Sequence, residues 1–116
     1  MKHLMILNDP PYGSERAYNG LRLAGSLACH EGHEVKVFLM GDAASCAKAG
    51  QKVPSGYYNV QTMIATATHK GAIVGVCGSC MDARGITEPE LSEGTRRSTL
   101  DELAMWTIEA DKVIVF

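Results

Sequence analysis

Short apolar runs recur along the chain, separated by polar stretches that carry glycine or proline. The first run, Leu4-Met5-Ile6-Leu7, ends at Asn8-Asp9-Pro10-Pro11. It shows no alternation, which predicts a strand covered on both faces and then a loop. Ser14 is the expected N-cap of a following helix, with Glu15 favourable in its first turn. Ala17, Leu21, Ala24 and Ala28 recur at helical spacing, widened by Leu23 and Leu27. Gly32 is placed to end this helix.

Glu34 to Met40 predicts the second strand, and Gly41-Asp42 the turn after it, with Asp42 capping a short helix over 43–49. Residues 50–56 are polar and contain Pro54, so they read as loop. Asn59 caps a helix through Val60, Met63, Ile64 and Ala67, ending near His69-Lys70-Gly71. Ala72-Ile73-Val74-Gly75-Val76 is the third strand. Met81 to Arg84 reads as one helical turn before Gly85. Residues 86–97 read mainly as loop, with only a weak signal for another strand. Ser98 or Thr99 caps the last helix, whose stripe is Leu100, Leu103, Ala104 and Ile108, and Val113 to Phe116 is the final strand. Strands alternating with helices predict a three-layer α/β/α fold with a mainly parallel sheet of four to five strands.

The length of 116 residues fits one domain over 1–116, large enough for a core without metals or disulfides. The formal net charge is -2, and aromatic residues are 6%. Neither points to a nucleic acid or an anionic membrane as partner. No apolar run nears the roughly 20 residues that span a bilayer. The opening apolar run is too short for a signal peptide. The expected location is therefore the cytoplasm, where the four cysteines would be mostly reduced.

In an open parallel sheet, ligands bind outside the carboxyl ends of the strands. Three loops should meet there: 8–14, Gly41-Asp42, and Cys77 to Gly85. Cys77-Gly78-Ser79-Cys80 follows the third strand directly. Amides at a helix start favour a thiolate, Arg84 adds positive charge nearby, and Gly78 leaves room for a substrate. Two inert apolar thiols are the plainer alternative. A zinc site lacks a second pair of ligands, so no metal and no cofactor are expected. The redox use of such a pair normally falls earlier in the chain, which leaves a sulfur-carrying nucleophile as the third use. Tyr12-Gly13-Ser14 is a second candidate, since Gly13 before a helix start can receive an anion. Simple N-capping is the better explanation on composition alone. Asp9 and Asp42 would face the cleft or cap turns. Cys29 and Cys46 read as buried and inert, and His69 as a surface residue. Trp106 reads as a core or subunit contact, and Arg96-Arg97 as a solvated loop.

Several segments together resemble a known family. They are Pro11-Tyr12-Gly13-Ser14-Glu15, Leu21-Arg22-Leu23-Ala24, Val37 to Ala43, Gly50-Gln51-Lys52, Tyr58-Asn59-Val60-Gln61, Cys77 to Gly85, Leu103 to Thr107, and Ala110-Asp111-Lys112-Val113. In this order and spacing they resemble the DsrE/TusD-like (DsrE/DsrF-like) family of sulfur-relay proteins, in its YchN-like subgroup. The resemblance implies a three-layer α/β fold and a homo-oligomer, trimer or hexamer. It also implies a sulfurtransferase-like role. A cysteine eight residues before the glycine of an Arg-Gly pair accepts persulfide sulfur from a donor protein and passes it to an acceptor. That position is Cys77, eight before Gly85. Cys80 belongs to the YchN-like pattern rather than to the relay members.

Three functions are consistent with these residues. In the first, Cys77 carries persulfide sulfur, the Gly78 and Ser79 amides hold it, and Cys80 discharges it. In the second, Cys77 and Cys80 form a dithiol–disulfide redox module. In the third, the chain is a non-enzymatic oligomeric binder of a small ligand.

Overall fold

The computed structural model describes all of residues 1–116. Five strands form one sheet: β1 (Lys2–Leu7), β2 (Glu34–Leu39), β3 (Ile73–Cys77), β4 (Thr95–Ser98) and β5 (Lys112–Val115). Their order is β4-β3-β2-β1-β5, and each neighbouring pair is parallel. The helices are α1 (Arg16–Ala28), α2 (Val60–His69), α3 (Gly78–Ala83) and α4 (Leu100–Glu109), with a 3-10 segment over Gly41–Ala47. The three-layer parallel α/β architecture expected from the apolar runs is the one observed.

The two faces of the sheet are covered unequally. Met5, Leu7, Val35, Val37, Leu39, Val74 and Val76 point to a large core completed by α1, α2, α3 and the 3-10 segment. Leu4 and Phe38 point the other way, to a small core with Leu103 and Trp106 of α4. Gly75 permits that contact, because a Cβ there would come within 3.0 Å of the Trp106 ring. Outside this small core, α4 and β5 leave Leu100, Met105, Ile108 and Val115 exposed. No helix is long and apolar enough to cross a membrane.

Local chemistry explains where the elements begin. The Asn59 side chain accepts from the Thr62 amide and starts α2, and Thr99 accepts from Glu102 and starts α4. Ser14 lies one residue before the N-cap position of α1, and its Oγ accepts a long bond of 3.4 Å from the Arg16 amide. Its hydroxyl donates to Asp9 Oδ2 at 2.7 Å, and the cap position falls to Glu15, without a side-chain bond. Asp42 caps nothing: the 3-10 segment begins after Met40, and Asp42 pairs with Arg84 at 2.7 Å.

The stretch read mainly as loop contains β4. Its four residues, Thr95-Arg96-Arg97-Ser98, carry no apolar signal because this is an edge strand. Ser98 and Arg96 bind Glu102 of α4, so polar pairs rather than apolar burial anchor this strand. Arg96-Arg97 is therefore not a solvated loop. Arg96 lies over the Trp106 ring at 5.7 Å, and Arg97 forms a two-pronged pair with Asp82 at 2.9 and 3.0 Å.

Candidate functional site

The parallel sheet brings the end of β3 to its carboxyl edge, where Cys77 is the last residue of the strand and the N-cap of α3. The helix starts at Gly78, three residues earlier than the sequence suggests. This one turn separates the two thiols by environment. Cys77 packs with the small α4-side core, and Cys80 with the large core on the other face. Both are partly exposed and neither is in a disulfide.

Burial opposes ionisation of Cys77, but the Cys80 thiol, the Ser79 hydroxyl and the Ser79 and Cys80 amides outweigh it and lower its pKa. The Ser79 hydroxyl lies 3.3 Å from the Cys77 sulfur. Cys80 moves the opposite way. Burial and the neighbouring Cys77 raise its pKa, although the Gly41 amide donates to its sulfur at 3.1 Å. The pair thus contains one thiol prepared to attack and one that stays protonated beside it.

Cys77, Gly78, Ser79 and Cys80 form one end of a cleft of about 450 Å³. Phe38, Met40 and Leu100 supply apolar wall, and Arg97, Ser98 and Thr99 complete the lining. The register explains why β4 reaches it: Ser98 lies directly beside Cys77. Arg97 is the residue that sequence reasoning missed. Its guanidinium lies over Gly78 so closely that a Cβ there would meet Cζ at 2.8 Å. Only the pairing of β4 with β3 shows this, and the polar β4 sequence gives no sign of it.

The other candidate residues lie elsewhere on the carboxyl edge. Arg84 binds Asp42 and the Cys80 carbonyl, and its charge acts on Cys80 rather than Cys77. Tyr12, Gly13 and Ser14 are not part of the Cys77 cleft. The Tyr12 hydroxyl accepts from the Val60 amide, and its ring stands 5.4 Å from that of Tyr58. Gly13 has φ 108° and an exposed backbone, and Ser14 is engaged by Asp9. Among the remaining thiols, Cys46 is buried as expected, donates to the Asp9 carbonyl, and has its pKa pushed up to about 12 by burial. Cys29, expected to be buried, is exposed just past the end of α1.

The DsrE/DsrF-like family model matches this chain over residues 1–116. The chain belongs to the DsrE/DsrF-like family. Protein YchN of Escherichia coli is 42% identical over 116 residues, covering 99% of this chain and 98% of YchN. An uncharacterized protein of Methanocaldococcus jannaschii, MJ0989, is 40% identical over the full length of both chains. The crystal structure of YchN superimposes with a TM-score of 0.93, over 99% of this chain and 98% of that one. A protein of unknown function from Methanobacterium thermoautotrophicum, MTH1491, matches at a TM-score of 0.79 with 13% identity, over 99% of this chain and 98% of that one, and shares the fold. In this DsrE/DsrF-like domain the candidate site is the cleft at Cys77.

Proposed function

We propose that this DsrE/DsrF-like protein is a sulfur carrier that holds persulfide sulfur on Cys77. The observation that supports it is a thiol with lowered pKa, half-exposed in a cleft, with donors already aimed at its sulfur. The Cys77 thiolate attacks the outer sulfur of a donor persulfide. The donor S–S bond breaks, the donor leaves as thiolate, and Cys77 becomes a persulfide. An acceptor thiolate then takes the terminal sulfur and restores the Cys77 thiolate. Alternatively Cys80 gives its proton to the terminal sulfur as its own sulfur attacks the inner one. That forms the Cys77–Cys80 disulfide and releases hydrosulfide, so two thiols are oxidised and one sulfur is reduced. Incubation with a persulfide donor is expected to add one sulfur to Cys77, read by intact-mass and peptide mass spectrometry. An unchanged mass, or equal loading of Cys77→Ser, refutes the reading.

A second reading, a reversible dithiol–disulfide module, draws on the opposed pKa shifts of the two thiols. Titration against a glutathione buffer separates the two: a disulfide that interconverts within the cytosolic range favours redox cycling.

The proposed setting is a cytoplasmic homo-oligomer, trimer or hexamer, with donor and acceptor proteins meeting the cleft edge. The exposed side chains Met105 and Ile108 of α4 and Val115 of β5 would be the contact between copies. Ile108→Glu is expected to lower the mass measured by sedimentation, and an unchanged mass would remove this face from the assembly.

A further inference from the structure

Arg97 comes from β4, yet it ends over Gly78 at the rim of the thiol cleft. Its partner Asp82 is 65% exposed, and an exposed ion pair of this kind is readily exchanged for another anion. Gly78 is the residue whose missing side chain makes the seat for the guanidinium. The cleft behind it has apolar wall at Phe38, Met40 and Leu100, and its volume of about 450 Å³ suits a small organic molecule rather than a lone ion. A guanidinium offers a fork of donors that matches a carboxylate.

We propose that Arg97 is the specificity-determining residue of this cleft and that the ligand reacting at Cys77 is a small thiol persulfide bearing a carboxylate. The proposal starts from the carrier reading of Cys77 and names the donor class for it. In the free protein Asp82 holds Arg97. The incoming carboxylate takes the guanidinium from Asp82, which places the donor's outer sulfur at the Cys77 thiolate. Sulfur transfer then follows as above: the donor S–S bond breaks, the Cys77–sulfur bond forms, and the donor leaves as thiolate.

The first test does not need sulfur transfer. In a Cys29→Ser background, which removes the exposed thiol, the initial rates are measured for two disulfide probes. One is the dianionic dithiobis(nitrobenzoate) and the other is the neutral dithiodipyridine. Arg97→Gln is expected to lower the anionic-to-neutral rate ratio about tenfold, the loss of one charge-assisted contact. Gly78→Ala is expected to lower it too, by unseating the guanidinium. Asp82→Asn is expected to raise the ratio, but not when combined with Arg97→Gln. Arg22→Gln, the same charge change on α1, leaves it unaltered. A ratio that Arg97→Gln does not change, or equal slowing with both probes, overturns the assignment of Arg97.

The second test loads the protein with glutathione persulfide or its dimethyl ester and follows the sulfur by mass spectrometry. Faster loading from the free acid, lost in Arg97→Gln, is the expected result. Equal loading from acid and ester overturns the donor class while leaving the carrier reading intact. Loading only from a protein-borne persulfide also overturns it. No loading from any donor, with the Arg97-dependent probe ratio preserved, refutes the carrier reading and its donor but keeps Arg97 as an anion selector.

Discussion

At the amino edge of the sheet, the His3 and His33 rings share a hydrogen bond of 2.9 Å. At the carboxyl edge, Cys77 and Cys80 form a second pair of coupled titratable side chains. Each pair sits at a strand end, and proton affinity is shifted at His3 in the first and at both thiols in the second. The surroundings act on the charged forms of His3 and Cys77 in opposite senses. Around Cys77 the Ser79 hydroxyl and nearby amides favour the charged form. Around His3 burial comes first, and then His33, the N-terminal amine and Lys112 all disfavour the charged form, with Asp111 alone opposing them. The charged form is thus favoured at Cys77 and disfavoured at His3, and the proposed chemistry falls to Cys77.

The largest test of this contrast is alkylation. Near neutral pH, iodoacetamide is expected to modify Cys77 faster than an ordinary thiol. Cys77→Ser should remove the fast phase in a Cys29→Ser background, a drop of about tenfold or more in rate. Cys46, with its pKa pushed up to about 12, should stay unmodified throughout. Fast labelling that persists in Cys77→Ser would mean that the edge activates a different thiol. A smaller effect comes from Cys80→Ala. It removes the thiol that helps hold charge on Cys77, so the midpoint of the Cys77 rate–pH profile should move upward. An unmoved midpoint would show that the backbone and Ser79 suffice, and the two cysteines would then act independently.

Much of this contrast is visible before folding, and the reasons for the exceptions are physical. The central strands β1, β2 and β3 are apolar runs because a parallel sheet buries both their faces, and β5 is legible as an apolar run although it is an edge strand with Val113 and Val115 exposed. The cysteine segment announces its place by following such a run. Arg97 does not, because its position over Gly78 depends on β4, and β4 is a short edge strand written in polar residues. The start of α3 at Gly78 was equally hidden, since glycine is a poor helix former and tertiary contacts override that preference here. His3 stands just before the apolar run Leu4 to Leu7, and nothing in the sequence around it marks a site. Its pairing with His33 requires β1 and the loop after α1 to meet, a contact between residues 30 apart in the chain.

The smallest expected effect concerns that pair, and it turns on the sign of the shift. His3 is 5% exposed, and its Nδ1 has no hydrogen-bond partner. Its folded-state pKa lies below the ordinary 6.5. Between that lowered value and 6.5 the unfolded chain binds a proton that the folded chain does not. Stability should therefore be full above pH 6.5 and fall as the pH drops below it, levelling once the folded-state pKa is passed. His3→Leu removes both the titration and the unpaired nitrogen. At pH 8 its stability should stay within about 1–2 kcal/mol of the wild type, because the lost shared bond is offset by the orphan that disappears. On acidification the variant should lose less than the wild type, by up to the uptake of about one proton. Urea unfolding at pH 8, 6.5 and 5 measures the difference directly. Parallel acid limbs in the two proteins would show that His3 titrates normally despite its burial, and the contrast between the two edges would then rest on the cysteines alone.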